Sequence, residues 1–285
     1  MEKVIFDCDN TLGLFTKEID DGLTLYYLLG RPDIDLLGIT TTFGNGTIDQ
    51  VYGQTIQLAA DLDLIGLPVM RGAGERAEGP TDAARYLVEM ASTYPGEINL
   101  LATGPLGNLR AAHELDPGFF NKLKSIACMG GYLRPVKMGR RVVKELNLSA
   151  DPEASFLVLN APTKVTLMTA QICMQAPFTW KDLGNLTFWS RKSRMYVRNW
   201  LILHAVFTRL GHFYLWDLLP AIYISYPELF NEHIVTIRSS VKDLEDGTLI
   251  PVENKSGVGV NLPALITDID RFMEILFEAW KEIRI

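Results

Sequence analysis

Cysteine is scarce and unpaired in this chain: Cys8, Cys128 and Cys173 are the only three, and no Cys-x-x-Cys spacing occurs. That excludes a disulfide framework or a thiolate zinc site, and is the usage expected of buried, reduced thiols in a cytoplasmic protein. No run of about 18 apolar residues exists, so no transmembrane helix is expected. Met1-Glu2-Lys3 leads straight into a short apolar run, without the basic and long apolar regions of a signal peptide. Positive charge is also in deficit, with 27 Lys and Arg against 34 Asp and Glu, a net charge of −7. Such a balance repels nucleic acid and anionic membranes, so neither is expected as a partner. Linkers, low-complexity segments and internal repeats are missing as well. The 285 residues, 48% of them apolar, therefore read as one domain over 1–285 with a sizeable core.

What is present is an alternation of short apolar runs with helical patterns. The spacing predicts strands at 4–6, 36–42, 68–70, 98–102, 125–129 and 165–168. Helices are expected at 19–29, 47–62, 81–91, from 104 to about 115, and from 151. Thr47 reads as one N-cap. Asp151 reads as another, with Pro152 and Glu153 in the first turn behind it. From 177 to 219 the pattern is mainly helical and rich in Trp, Phe, Arg and His, a cap-like region. A hairpin of 234–241 with 248–252 is expected around Asp246-Gly247, then a strand at 261–266 and an amphipathic helix at 269–283. The fold class expected is α/β: a mostly parallel, open twisted sheet covered by helices, with a mainly helical C-terminal insertion.

The first strand ends in acids. Val4-Ile5-Phe6 runs into Asp7-Cys8-Asp9, and Asp20-Asp21 follows shortly after. The C-terminal ends of parallel strands are where open α/β sheets bind ligands. Four carboxylates this close repel one another and are costly near a core unless a cation or shared protons offset their charge. Asn45, Thr103-Gly104 and Met129-Gly130-Gly131 follow later strands and converge on the same edge. Oxygen donors without His or Cys suit Ca²⁺ or Mg²⁺, and a set of several carboxylates plus carbonyls is closer to Ca²⁺. Cys8, flanked by two acids, is expected to be a poor nucleophile.

Phe6-Asp7-Cys8-Asp9-Asn10-Thr11-Leu12 resembles the signature of haloacid-dehalogenase-like phosphatases. There Asp7 would be the nucleophile and Asp9 its acid/base partner, with Mg²⁺. The late acidic pair of that family has no counterpart in 243–246 or 268–270.

A second resemblance covers most of the chain. Its pieces are Asp7-Cys8-Asp9 with Asp20-Asp21; Gly38-Ile39-Thr40-Thr41-Thr42-Phe43-Gly44-Asn45; Leu101-Ala102-Thr103-Gly104-Pro105-Leu106-Gly107-Asn108-Leu109; Met129-Gly130-Gly131; Glu145-Leu146-Asn147 before Ala150-Asp151-Pro152-Glu153-Ala154; and Asp217. In this order they are similar to the inosine–uridine-preferring nucleoside hydrolases. The resemblance implies cleavage of a ribonucleoside to ribose and free base, with Ca²⁺ held by Asp9, Asp21, Asp217 and the Thr103 carbonyl. It implies a Ca²⁺-bound water that gives its proton to Asp9, Asp20 on a ribose hydroxyl, and Asn45, Met129, Glu145 and Asn147 lining the sugar pocket. A homodimer or homotetramer is implied too.

The departures are specific. The family's Asp-Pro-Gly-x-Asp-Asp loop is tight, whereas 10–19 intervene here between Asp9 and Asp20. The His-Gly flap after the third strand has no counterpart in 71–81. The residue before the late metal acid, often His, is Trp216, so base stacking on Trp216 is the expected substitute for protonation by an imidazole. A hydrolase-like binding protein without turnover is the remaining alternative. Plainer readings stand beside these roles. Asp7 could bond strand-end amides, Asp20-Asp21 could be first-turn acids favoured by the helix dipole, and Asn45 could be a turn residue. Thr103 could be a helix entry, Glu145 a surface charge and Trp216 core. His204 and His212 could be packed histidines, with proton donation by His212 the alternative.

Overall fold

Eight strands make the main sheet of the computed structural model, which describes residues 1–139, 141–253 and 256–283. They are β1 (Glu2–Cys8), β2 (Ile34–Thr41), β3 (Val69–Arg71), β4 (Ile98–Ala102), β5 (Ser125–Met129), β6 (Lys164–Met168), β7 (Ile234–Ile237) and β8 (Val258–Asn261). Their order across the sheet is β7-β8-β6-β5-β4-β1-β2-β3, parallel throughout except for β7 against β8. The chain runs outward from β1 to β3, then returns and runs the other way from β4. Strand order therefore reverses between β1 and β4, which places a crevice beyond their C-terminal ends.

The alternation of β1 divides the core in two. Val4, Phe6 and Cys8 face one apolar cluster, and Ile5 the other. The first cluster holds α1 (Asp20–Leu29), the helix Leu218–Ser225 and the helix Ile269–Lys281. The second holds the helices Asp82–Thr93, Gly107–Leu115 and Pro152–Leu159. The C-terminal helix is stitched to α1: Trp280 donates from its indole to the Leu23 carbonyl at 3.1 Å. At Gly30, just past α1, an added Cβ would lie 1.9 Å from the Ala279 carbonyl oxygen, so only glycine permits the approach.

Local signals land where the sequence places them. Thr47 caps α2 (Ile48–Asp61) in a capping box with Gln50, and the Asp151 side chain accepts from the Ala154 amide at 3.1 Å. Two late elements differ. The expected hairpin forms only in part: 236–238 meets 250–252 through the antiparallel Ile237–Pro251 bridge, with the Arg238 amide donating to the Ile250 carbonyl and the Val252 amide to the Thr236 carbonyl, both at 2.9 Å. The ladder of β7, however, runs antiparallel along β8, Val241–Leu244 is a helical turn, and Thr248 bridges to Tyr132. The expected strand at 261–266 ends where it was to begin, at Asn261. An Asp-Gly turn reports a local reversal of the chain, whereas the strand partner is decided by which edge of the sheet is open. Between 177 and 219 the long helix α3 (Arg191–Thr208) dominates, and a two-stranded antiparallel ribbon, Pro177–Thr179 with His212–Tyr214, closes its base.

Candidate active site

Asp20, Asp21 and Asp217 meet just beyond the β1/β4 reversal. Each offers a carboxylate oxygen, the three lie within 4.8 Å of one another, and all three side chains are buried. α1 contributes the first two because its first turn begins at the end of the loop from β1, and Asp217 stands at the N-cap of the helix Leu218–Ser225. The Thr103 hydroxyl, at the end of β4, donates to Asp21 at 2.7 Å. Asp9 adjoins the trio: after burial, its charge is the largest influence raising the Asp21 carboxyl. It is also gripped by Asn45, whose backbone amide donates at 2.5 Å and whose side-chain amide donates at 3.3 Å. This grip depends on Gly44, where a Cβ would lie 2.0 Å from the Asp9 carboxylate.

Burial dominates the electrostatics. It pushes the Asp9 carboxyl up to about 7 and that of Asp20 to about 6, and it holds Asp21 and Asp217 well above the ordinary carboxylate range. After burial, the largest influences on Asp217 are the charges of Asp20, Asp21, Asp9 and Glu18, all of one sign. Asp20 Oδ1 has no hydrogen-bond partner although it is buried. Like charges gathered without a counter-ion, with an unsatisfied oxygen among them, fit a hard divalent cation.

A cavity of about 370 Å³ opens over this cluster. Asp20, Asn45, Thr103, Met129, Glu145, Asn147, Trp216 and Asp217 line it, while Asp9 and Asp21 are fully buried and off its wall. Asn147 bridges two strand ends, donating to the Thr103 carbonyl at 2.7 Å and the Met129 carbonyl at 3.1 Å. Glu145 is not a surface charge. Its carboxylate accepts from the amides of Gly131, Leu148 and Ser149 at 3.1, 2.9 and 2.8 Å, tying the β5 loop to the turn that carries Asn147. Trp216 is half-buried and faces the cavity, with its ring edge-on to Tyr214 at 5.4 Å.

Asp7 sits apart. It is fully buried, and its Oδ1 accepts from the Thr40 hydroxyl at 2.5 Å and the Asn108 amide at 2.7 Å. These are side-chain partners, not strand-end amides; both fall on Oδ1, and Oδ2 is buried without a partner and off the cavity wall. The phosphatase alternative is not favoured. Burial, then the Asp21 charge, push the Cys8 thiol well up, and all three cysteines are buried and free.

Three parts of the wall were not legible as site residues. Trp200, Leu203, His204 and Phe207 line the cavity from α3. Their i, i+3, i+4, i+7 spacing was a readable signal of one helical face. His204 faces Thr208, with Nδ1 3.2 Å from the hydroxyl, and burial lowers its pKa. His212 does not line the cavity. Tyr132 closes another side with Met138 and Val142, which sit on the ribbon of Lys137–Met138 with Arg141–Val142. Glu18, from the lengthened loop, is the third.

A family model described as inosine-uridine preferring nucleoside hydrolase matches residues 4–274. Among curated proteins, the chain is similar to the probable uridine nucleosidase 1 of Oryza sativa subsp. japonica, 29% identical over 65% of this chain and 63% of the relative. It is similar to the inosine-uridine preferring nucleoside hydrolase of Leishmania major, 28% identical over 61% and 62%. The chain thus spans somewhat under two thirds of the length of these relatives. Among solved structures, the purine-preferring ribonucleoside hydrolase from Gardnerella vaginalis shares the fold, with a TM-score of 0.84 over 98% of both chains at 20% identity.

Proposed function

Because the chain belongs to the inosine-uridine preferring nucleoside hydrolase family, we propose that it hydrolyses the N-glycosidic bond of a ribonucleoside, releasing ribose and the free base. The observation that carries this reading is the buried acidic cluster at the floor of a cavity with an aromatic wall. A divalent cation, for which Ca²⁺ fits an all-oxygen donor set, would be held by Asp9, Asp21, Asp217 and the Thr103 carbonyl, and would supply Lewis acidity that makes water easier to ionise.

The chain's own residues do the rest. Asp9 takes a proton from the attacking water as general base. Asn45 fixes the direction of that carboxylate. The bond to the base breaks through an oxocarbenium-like state, and the acidic floor favours the positive charge on the sugar ring. Asp20 accepts from a ribose hydroxyl, which gives its unpaired oxygen a partner. Asn147 and Met129 form the sugar wall, and Glu145 keeps Asn147 in place. The base stacks on Trp216, which stabilises it as it departs.

Assays of inosine, uridine and nitrophenyl riboside, with Ca²⁺ and with chelator, test this reading. Turnover is expected with the cation and not after its removal; phosphate release from nitrophenyl phosphate in place of riboside cleavage overturns it, and no turnover at all leaves a binding protein. For Trp216→Ala, kcat/KM for inosine is expected to fall about ten-fold or more, in line with base stacking on an aromatic ring. Nitrophenyl riboside, whose leaving group is already activated, loses less. If both rates are unchanged, the stacking role is wrong.

A further inference from the structure

The loop between Asp9 and Asp20 is built, not slack. Asn10 Oδ1 accepts from the Leu12 amide at 3.0 Å, and the Thr11 carbonyl from the Leu14 amide at 3.0 Å. The Thr11 hydroxyl donates to the Glu18 carbonyl at 2.8 Å, and Lys17 Nζ reaches the Asn45 carbonyl at 2.6 Å. Leu12 packs against α1 at Gly22, where an added Cβ would come within 2.5 Å of it. The effect of these contacts is to set Glu18, half-buried, on the cavity wall beside Asp20. After burial, the charge of Asp20 is the largest influence raising the Glu18 carboxyl. Asp20 is 3% exposed and keeps Oδ1 unpartnered. Glu18 lies outside the trio that brings its oxygens within 4.8 Å for a cation.

A side-by-side pair of carboxyl groups with an unused acceptor, on the wall of a cavity and next to a cation position, matches a donor that is neutral and small. A sugar hydroxyl is such a donor. We infer that Glu18 is a sugar-specificity residue: paired with Asp20, it accepts a hydrogen bond from a hydroxyl of the pentose. The inference rests on the nucleoside hydrolase reading and adds to it a residue supplied by the lengthened loop. A site that holds a hydroxyl through buried acceptors discriminates strongly against the analogue lacking it, because the acceptors are then left unpaired.

The test is calorimetric titration of the full chain and its Glu18→Gln and Glu18→Ala variants with ribose, 2-deoxyribose and 3-deoxyribose in Ca²⁺, and with Ca²⁺ alone. The substitutions spare the loop, since Thr11 holds the Glu18 backbone carbonyl, and melting curves check this. Both variants are expected to bind ribose about ten-fold more weakly. The deoxyribose that lacks the contacted hydroxyl should bind variants and parent alike, and Ca²⁺ affinity should hold within about three-fold. Ribose affinity unchanged in both variants overturns the inference. So does an equal loss for all three sugars, or a loss of Ca²⁺ affinity in step with the loss of ribose. A parent chain that binds no pentose removes the inference together with the hydrolase reading; a parent that binds ribose, with variants that bind it equally well, removes the inference alone.

Discussion

Asp9→Asn is expected to lower kcat/KM for a ribonucleoside by about 10²–10⁴-fold, the loss typical when a general base is removed. The side chain keeps its shape, so Asn45 can still hold one oxygen and the fold should survive. What disappears is the capacity to take a proton. The informative partner is Asp7→Asn. Asp7 is as buried as Asp9 and two residues away, and neither lines the cavity, but Asp7 faces Thr40 and Asn108, whereas Asp9 faces Asn45 and the charge of Asp21. Its substitution should cost stability more than turnover, with kcat within about ten-fold of the parent. Steady-state kinetics on both variants decide the point: if Asp9→Asn retains activity within ten-fold, or if Asp7→Asn is the more damaging of the two, the base has been assigned to the wrong acid.

The second large effect concerns stability and the cation. Burial raises the carboxyls of Asp9 and Asp20 to about 7 and about 6, and holds Asp21 and Asp217 well above the ordinary carboxylate range. In the unfolded chain these acids lose their protons near the ordinary value of about 4. Between about pH 4 and pH 7 the folded state therefore binds more protons than the unfolded state, and the stability contributed by this cluster falls as pH rises. Below pH 4 both states are protonated and no penalty arises. A divalent cation takes the place of those protons, so it should stabilise most where they are gone. Melting temperatures at pH 5 and pH 8, with Ca²⁺ and with chelator, should show a gain from Ca²⁺ several degrees larger at pH 8. An equal gain at both pH values, or a larger one at pH 5, would contradict the electrostatic account. In Asp217→Asn the cation-dependent gain should shrink at both.

The N-terminal half was legible because its rules are local. The runs 98–102 and 125–129 match β4 and β5 residue for residue, and Thr47 and Asp151 cap the helices they announce. A strand length or a cap is set by residues within one turn of one another. The late strands were read only in part because the longer partner lies further along the chain: 236–238 does turn back on 250–252, but the ladder of β7 runs along β8, which lies beside β6.

The acidic residues were likewise identifiable, since a strand that ends in carboxylates has few uses near a core. Their division of labour was not. Asp7 and Asp9 share parity along β1, so alternation does not separate them. β1 ends at Cys8, which leaves Asp7 in the ladder, facing Thr40 and Asn108, and Asp9 past the strand end, facing Asn45. Glu145 could be placed in the sugar pocket only by resemblance, because nothing in its neighbours says that three amides will converge on its oxygens. By itself, the sequence determined the α/β class, the acidic floor and the departures in the 10–19 loop and at Trp216. Only the tertiary structure decided that the loop delivers Glu18 to the cavity, that one face of α3 walls it, and that Asp7 stands outside. The physical reason is that composition and spacing fix what a segment must bury or satisfy, whereas the partner that satisfies it is set by which distant surfaces the sheet brings together.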